Sequence, residues 1–300
     1  MKTLLAFLFL LATAAPALAA QPPELLVPPY EAAQMEHVSI QATGSGKPLV
    51  LIPGLATPRE VWTPFVAELA RTHWVLLVPV NGFGGDDPRG NAGQGILPGV
   101  VADIAAFLER EHPGQKAAVV GHSMGGVVGM MLARDHPHRV DRLLVVDALP
   151  FFGSLFGPSA TVESMWPTFD NMRGMIASGA GRDAEPSGSD PSVATMSAIP
   201  EGRLQVARWS RAANPAVVGQ ALYEDALMDL RPDLAAISRV PTTVLYAVPP
   251  QIAERARALW TGEYAPAPGI RLVPVEDSMH FIMLDQPERF RTELNAFLAR

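Results

Sequence analysis

Residues 121–125 of this 300-residue chain read GHSMG, and the pentapeptide lies between two segments of opposite character. The apolar run at residues 117–120 predicts a buried strand, whereas residues 126–134 have the pattern of a helix. Glycines two positions before and after a serine are typical of a sharp strand-to-helix turn, because larger side chains would collide there. The pattern predicts a strained backbone at Ser123 and a hydroxyl exposed at the tip of a sheet.

The same turn would begin a helix whose first backbone N–H groups have no partner within the helix. We therefore expect the Met124 amide to point toward the place where negative charge develops when Ser123 attacks a carbonyl carbon. The alternative is an ordinary glycine-rich connection that contains a serine by chance. The flanking strand and helix, and the additional glycine at Gly126, favour the catalytic interpretation.

The composition limits the class of protein and of partner. A chain of 300 residues with 48% hydrophobic residues can bury a full core, so we expect one α/β catalytic unit with a sizeable insertion. The net charge of -7 comes without a basic cluster, which argues against nucleic acid and favours a small molecule as partner. The absence of cysteine excludes disulfides, thiolate metal sites and a lipoprotein anchor.

The first 19 residues are typical of a secretory signal peptide. Lys2 supplies the positive n-region, residues 4–15 the apolar segment and residues 17–19 an A-x-A site, which predicts cleavage after Ala19. The alternative is an uncleaved membrane anchor, but this apolar run is short for a bilayer span and no other stretch is long and apolar enough. We therefore expect a periplasmic or secreted protein without stable membrane association after signal cleavage.

Strand-like and helix-like segments alternate along most of the remaining chain. Strands are predicted at residues 35–42, 49–52, 74–80, 117–120, 143–146, 243–248 and 270–275. This alternation predicts an α/β fold, with a mostly parallel twisted sheet covered by helices on both faces. Ligands of such folds bind at the carboxyl ends of the strands.

The alternation stops between about residues 150 and 239, where helical patterns rich in methionine and aromatic residues occur without convincing strands. We interpret this segment as a helical lid. The chain then consists of a signal peptide (1–19), a first core part (20–149), the lid (150–239) and a second core part (240–300). Asn214 and Pro215 predict a helix start within the lid. Five large apolar residues could line a pocket, although we expect most of them to be packing residues: Met165, Trp166, Met172, Met175 and Trp209.

A serine hydroxyl is a weak nucleophile until a base accepts its proton, so a histidine must reach Ser123. Of the seven histidines, His280 follows the last predicted strand in the loop before the last helix, where the chain returns to the carboxyl edge of the sheet. A surface loop histidine is the alternative interpretation of His280. His122 is part of the turn itself and should point elsewhere.

Three motifs together resemble the α/β-hydrolase fold family: LIPGL at residues 51–55, GHSMGG at residues 121–126 and SMHF at residues 278–281. The resemblance covers nearly all of the chain after the signal segment. It implies a second oxyanion amide from the residue after the glycine of the first motif, which here is Leu55. Pro53 stands where many members have histidine, but the backbone donor of Leu55 is still available.

The resemblance also implies a third catalytic residue, an acid that orients the histidine, but it leaves the identity of this acid open. Family members most often carry it after the penultimate strand, yet residues 247–251 read AVPPQ and contain no carboxylate. Some members place the acid one strand earlier, which implies Asp147, although an aspartate at a strand end is often only a turn residue. Asp277, close to His280 in the sequence, is the second candidate and Glu276 the third.

The resemblance implies acyl transfer to Ser123 from a small-molecule carboxylic ester, with water releasing the acyl group from an acyl-enzyme. Lactonase, perhydrolase and aminopeptidase activities occur on the same fold and stay open. An aminopeptidase would need lid carboxylates for a substrate ammonium, and Glu163, Glu201 or Glu224 could serve.

A second class of function is ligand binding on a hydrolase scaffold, with Ser123 and His280 present but no acid to orient the histidine. This hypothesis gains weight if Asp147 does not reach His280. The sequence contains no H-E-x-x-H pair, P-loop lysine or full dinucleotide fingerprint, so we expect neither a metal nor a cofactor.

Overall fold

The computed structural model describes residues 30–180, 182 and 184–300. The predicted signal peptide, residues 1–19, lies outside the described residues. No helix in the described part of the chain combines the length and hydropathy that a bilayer crossing requires.

An eight-stranded sheet runs through the described residues. Its strands are β1 (Tyr30–Gln34), β2 (Ser39–Gly44), β3 (Lys47–Ile52), β4 (His73–Leu77), β5 (Ala117–His122), β6 (Val140–Val146), β7 (Thr242–Val248) and β8 (Arg271–Glu276). They are arranged in the order β1-β2-β4-β3-β5-β6-β7-β8. The β1–β2 and β2–β4 pairs are antiparallel, and the remaining neighbours are parallel. The predicted mostly parallel α/β sheet is therefore confirmed.

The central strands are apolar on both faces because helices cover both sides of the sheet. Every residue of β5 and of β7 is buried, as expected for parallel strands between two helical layers. In β3, Val50 and Ile52 pack into one hydrophobic cluster, whereas Leu49 and Leu51 pack into the other. Alternate side chains of a single strand thus contribute to both halves of the core.

Six α-helices belong to the core parts of the described chain: α1 (Thr63–Leu69), α2 (Ile96–Glu111), α3 (Met124–Asp135), α8 (Ala253–Tyr264), α9 (Ile282–Asp285) and α10 (Pro287–Leu298). Buried residues of α2, α3 and α8 join the cluster on one face of the sheet. Those of α1, α9 and α10 join the cluster on the opposite face. The sheet is therefore the middle layer of three.

Between β6 and β7 the described residues contain four further α-helices: α4 (Val162–Ala177), α5 (Pro200–Ala212), α6 (Pro215–Leu227) and α7 (Leu234–Ile237). The start of α6 is as predicted, because Asn214 caps it by accepting hydrogen bonds from the amides of Ala216 and Val217 at 3.0 and 3.3 Å. Helices α4 and α6 approach closely at Gly219, where a Cβ atom would lie 2.7 Å from the Arg173 carbonyl oxygen.

The amino-terminal edge of the sheet differs from the sequence prediction. A single strand at residues 35–42 is wrong, because β1 and β2 form an antiparallel pair and Met35 lies between them. Residues 30–34 read YEAAQ and lack the β-branched run that favours a strand. Pairing with β2, which the local sequence does not reveal, accounts for the extended conformation of β1.

Candidate active site

Ser123 occupies the strained turn that the glycine spacing predicts. Its backbone has φ 54° and ψ −126° between β5 and α3, a conformation that non-glycine residues adopt at a cost of about 1–3 kcal/mol. A Cβ atom on Gly121 would lie 2.0 Å from the carbonyl oxygen of Gly125, so a side chain at that position would force the two segments apart. The Ser123 amide donates to the carbonyl oxygen of Val146 at 2.9 Å, which ties the turn to the end of β6.

Ser123, His280 and Asp147 form one continuous hydrogen-bonded chain. The Nε2 atom of His280 lies 2.9 Å from the hydroxyl oxygen of Ser123. The opposite ring nitrogen, Nδ1, lies 2.7 Å from Oδ2 of Asp147. Because a carboxylate only accepts hydrogen bonds, Nδ1 carries the proton and Nε2 is free to accept the serine proton.

Asp147 is held in this chain by the neighbouring strand. It follows β6 with φ 52°, and its amide donates to the carbonyl oxygen of Leu245 at 2.8 Å. Its second carboxylate oxygen, Oδ1, accepts a hydrogen bond from the amide of Ala247 at 2.8 Å. Strand β7 carries no acidic residue at its own carboxyl end. Its backbone nevertheless orients Asp147, the candidate acid that follows β6.

The residue after the acid is fixed from helix α8. The hydroxyl of Tyr264 donates to the carbonyl oxygen of Ala148 at 2.6 Å. Burial raises the pKa of Tyr264, and the carboxylates of Glu263 and Asp147 act in the same direction, so this hydroxyl stays a proton donor.

The two alternative acids are both exposed to solvent. Asp277 is exposed, and the exposed Glu276 pairs with Arg257. In the described part of the chain neither carboxylate hydrogen-bonds to His280. Asp147 is therefore the candidate acid that the structure brings to the histidine.

The two predicted oxyanion donors flank the serine. Gly54 packs so closely on the turn that a Cβ atom would lie 3.0 Å from Cβ of Ser123, which brings the next residue, Leu55, to the site. Met124 is the first residue of α3. Within the described residues neither the Leu55 amide nor the Met124 amide has an acceptor, so both donors are available to a ligand oxygen.

His122 supports the loop that carries His280. Its Nε2 atom lies 3.0 Å from the carbonyl oxygen of His280 and donates to it. Burial lowers the pKa of His122 well below its ordinary value of 6.5, and the nearby His280 imidazole adds to the effect. His122 is therefore neutral, and its ring hydrogen-bonds to the backbone of His280 and not to the hydroxyl of Ser123.

A cavity of about 90 Å³ opens beside the serine, and its lining includes Ser123, Asp147 and His280. Its apolar lining comes from Val127, Ala148, Leu149, Phe152, Leu155 and Trp260. Leu155 is 49% exposed and marks the mouth. The remaining lining residue is Asp225, on helix α6 between β6 and β7.

Asp225 is the site residue that sequence reasoning missed. It is 6% exposed, and its Oδ1 atom is buried without a hydrogen-bond partner in the described chain. Burial raises the pKa of the Asp225 carboxyl from 3.8 to about 7, although the nearby His280 imidazole acts in the opposite direction. The sequence did contain a signal that this aspartate is buried. Asp225 lies four residues after Ala221 and eight after Val217, on the apolar stripe of its helix.

The large apolar residues of the lid differ in part from expectation. Trp166 and Met175 are 50% and 56% exposed, so they are not packing residues. None of the five residues proposed as pocket or packing positions lines the cavity beside Ser123. Phe152 lines the cavity instead.

The described residues contain no group of three or more histidine, aspartate or glutamate side chains arranged to hold a metal ion. The chemistry that the described side chains can perform at this site is acid–base and nucleophilic.

Comparisons with known proteins identify the family and the fold. A family model described as alpha/beta hydrolase fold matches residues 47–287. A pimeloyl-[acyl-carrier protein] methyl ester esterase of Aliivibrio salmonicida is 26% identical over 276 residues, covering 86% of this chain and 94% of the relative. The esterase of that name from Aeromonas hydrophila is 34% identical over 115 residues. The match covers 38% of this chain and only 43% of the relative's length.

Two solved structures show the same fold. A thermophilic esterase from Thermogutta terrifontis, solved with malate bound, superposes with a TM-score of 0.69 at 23% identity, covering 87% of this chain and 93% of that chain. The enol-lactonase from Burkholderia xenovorans LB400 gives a TM-score of 0.66 at 20% identity, covering 88% and 96%. At these identities the similarity concerns the fold and not the substrate.

Proposed function

The chain belongs to the alpha/beta hydrolase family, and from this membership we propose that it is a serine hydrolase that cleaves a small-molecule carboxylic ester. The observation that carries the proposal is the continuous hydrogen-bonded chain from Ser123 through His280 to Asp147. Relatives named as methyl ester esterases support the ester class.

In the proposed acylation step, His280 Nε2 accepts the Ser123 proton while the serine oxygen attacks the ester carbonyl carbon. The carbonyl oxygen becomes an oxyanion, and the amides of Leu55 and Met124 hold it. The protonated His280 then gives its proton to the leaving alcohol, and the acyl group stays on Ser123. Water, deprotonated by the same nitrogen, releases the carboxylic acid and restores the serine.

Asp147 contributes by holding His280 in one tautomer and by stabilising the imidazolium that forms in each step. The exposed fractions of the His280 and Asp147 side chains are 25% and 11%, so water screens their interaction only in part. The hypothesis of a non-catalytic binding protein depended on an acid that does not reach the histidine, and the distance of 2.7 Å between Nδ1 and Oδ2 argues against it.

The size of the cavity suits a small acyl or alcohol group of the ester. Its volume of about 90 Å³ is several times the space of about 30 Å³ that one water molecule occupies in the liquid. Because Leu155 is half-exposed at the mouth, a longer group would have to extend past this side chain toward solvent.

The test combines labelling by a fluorophosphonate probe with hydrolysis of short-chain nitrophenyl esters, for the wild type and for Ser123→Ala, His280→Ala and Asp147→Asn. We expect Ser123→Ala to lose labelling and turnover, because the nucleophile is gone. In Asp147→Asn we expect turnover to fall by about 10⁴-fold, because the histidine is held in the wrong tautomer.

Asp277→Asn is the matched control for the acid, because it makes the same chemical change at the exposed second candidate. Its turnover should equal that of the wild type. Retained turnover in Ser123→Ala would end the hydrolase proposal. Full activity in Asp147→Asn would remove Asp147 from the triad while leaving the nucleophile in place.

We also propose that the chain is exported to the periplasm or the medium with cleavage after Ala19, because residues 1–19 have the organisation of a signal peptide. The intact mass of the protein recovered from the exported fraction tests this. A mature chain that begins at Ala20 is expected, and an uncleaved chain retained with membranes would contradict the proposal.

A further inference from the structure

Asp225 is a buried carboxyl that the proposed mechanism does not use. It lines the same cavity as Ser123 and His280, yet the Nδ1 atom of His280 is already occupied by Asp147. Its Oδ1 atom has no hydrogen-bond partner in the described part of the chain. A buried polar atom without a partner destabilises a fold, so its presence beside the serine calls for an explanation.

The helix that carries Asp225 is anchored at both ends. At its start, the Asn214 amide donates to the carbonyl oxygen of Gly82 at 2.7 Å. Near its end, the Glu224 carboxylate accepts hydrogen bonds from the amides of Gly95 and Leu97 at 2.7 and 2.9 Å, which caps helix α2. These contacts leave Asp225 facing the cavity while its neighbour Glu224 is fully engaged elsewhere.

The charge balance of the cavity favours a cationic ligand. Its lining contains two carboxyls, Asp147 and Asp225, and no lysine or arginine among the described residues. Asp147 is balanced by the imidazolium of His280 during the proposed reaction, whereas no salt bridge joins Asp225 to a cationic side chain in the described part of the chain. The rest of the lining is mostly apolar and includes the rings of Phe152 and Trp260, which suit an alkyl chain and attract a cation over their faces.

We propose that Asp225 is a recognition residue for a protonated amine on the substrate, an inference that rests on the proposed ester hydrolysis. The ammonium donates hydrogen bonds to the Asp225 carboxylate. It supplies the positive charge that no lysine or arginine of the described cavity lining provides. The ester carbonyl lies at Ser123 in the same cavity, so the preferred substrates are small esters with an amine a few bonds from the carbonyl carbon. Neutral alkyl esters of equal size offer no donor to the Asp225 Oδ1 atom.

The experiment uses three pairs of methyl esters, in each of which an ammonium replaces a terminal methyl group: glycine with propanoate, β-alanine with butanoate, and 4-aminobutanoate with pentanoate. The ratio of kcat/KM for the amine member to that for the alkyl member is measured for the wild type and for Asp225→Asn. Comparing this ratio between proteins removes the intrinsic reactivity of each ester.

In at least one pair we expect the ratio to fall about tenfold or more in Asp225→Asn, because a desolvated charge pair is lost. Glu254→Gln is the matched control, since Glu254 is exposed on α8, the helix that also carries Trp260. It should keep the wild-type ratio in every pair. Equal ratios in the wild type and Asp225→Asn, or an equal fall in Glu254→Gln, would overturn the assignment.

A second measurement needs only the wild type, in case Asp225→Asn does not fold. Butylammonium should slow fluorophosphonate labelling of Ser123 more than butan-1-ol does at the same concentration. Equal protection by the two compounds would overturn the amine proposal, as would turnover of none of the six methyl esters by a wild type that the probe labels. A wild type that the probe does not label would instead contradict the proposed serine hydrolase.

Discussion

At the scale of single residues, Asp225 is expected to cost the protein stability in the absence of a ligand. Burial disfavours the charged form of the carboxyl, and its pKa rises from 3.8 to about 7 in the folded protein. The native state therefore holds the proton over a pH range in which the unfolded chain has lost it. Over that range stability falls as pH rises, by about 1.4 kcal/mol per pH unit.

We predict that the free energy of unfolding of the wild type, relative to that of Asp225→Asn, decreases as pH rises from about 4 to about 7 and is constant above that. The contribution is fully present below 3.8, and the shift to about 7 corresponds to a total loss on the order of 4 kcal/mol. Denaturant unfolding of both proteins across this pH range measures the difference, in which all other titrating groups cancel. Parallel pH profiles would show that Asp225 is ionised in the native state as it is in the unfolded chain.

The local sequence was enough to predict the proposed nucleophile, but it was not enough to predict the residues that line the cavity beside it. Ser123 was predicted from glycine spacing, which is a steric requirement of the turn and can be read without knowing the fold. Asp225 was not, because whether an aspartate on a helix is solvated depends on what packs against it. Here the cavity beside Ser123 and His280 decides this, and those residues lie about a hundred and about fifty-five positions away in the chain.

At the scale of elements, the proposed acid depends on two neighbouring strands. Because β6 and β7 are parallel neighbours, their carboxyl ends meet at one edge, and an acid after either strand can approach His280. The sequence therefore narrowed the choice to a few carboxylates. It could not reveal that the Ala247 amide orients Asp147, because any residue except proline supplies that donor.

The loop that carries His280 is clamped through Asp285 to the segment that precedes α5. The Asp285 carboxylate accepts hydrogen bonds from the amides of Met279 and Ala198, at 2.8 and 3.0 Å, and from the hydroxyl of Ser197. The amide of Phe281 also donates to the carbonyl oxygen of Met196 at 2.8 Å. Residues on both sides of His280 are thus fixed by the segment that precedes α5.

We predict that Asp285→Asn lowers kcat for short-chain esters about tenfold or more with little change in KM, because small displacements of a base reduce the rate steeply. An asparagine keeps the size of the side chain. Its amide nitrogen can only donate hydrogen bonds, so the side chain no longer accepts from all three donors. Steady-state kinetics on nitrophenyl esters measures the effect.

Asp233→Asn is the control for this change, because Asp233 pairs with Arg134 outside the cavity. It removes one carboxylate from a surface ion pair, which should cost less than about 1 kcal/mol and leave kcat unchanged. An equal fall of kcat in both variants, or a rise in KM alone for Asp285→Asn, would argue against positioning of His280 by the clamp.

At the scale of the whole molecule, the alternation of strands and helices was enough to predict three layers, because a parallel sheet must be covered on both faces. The pairing of β1 with β2 and the exposed surface of α4 were harder to predict. Strand β1 exists through pairing with β2, and Trp166 donates to the Tyr223 hydroxyl at 3.0 Å while half of it faces solvent. Both features depend on contacts between segments, which residue periodicity does not encode.

Helices α1 and α10 pack together around one buried aromatic ring. Phe290 is fully buried. Its ring centroid lies 4.8 Å from that of Phe65 in an edge-on arrangement and 6.1 Å from that of Trp62 in a stacked one. These rings join the last helix to the first helix of the core, so the layer holds together distant parts of the chain without any disulfide.

We predict that Phe290→Ala lowers the free energy of unfolding by about 3–5 kcal/mol, since a large buried ring is replaced by a cavity. Phe156→Ala makes the same chemical change at a position that is 58% exposed, and it should cost about 1 kcal/mol or less. Denaturant unfolding of both variants measures the difference. Similar losses would mean that the packing of α10 on α1 is not what stabilises this face. A loss confined to Phe290→Ala would show that this buried ring holds α10 on α1.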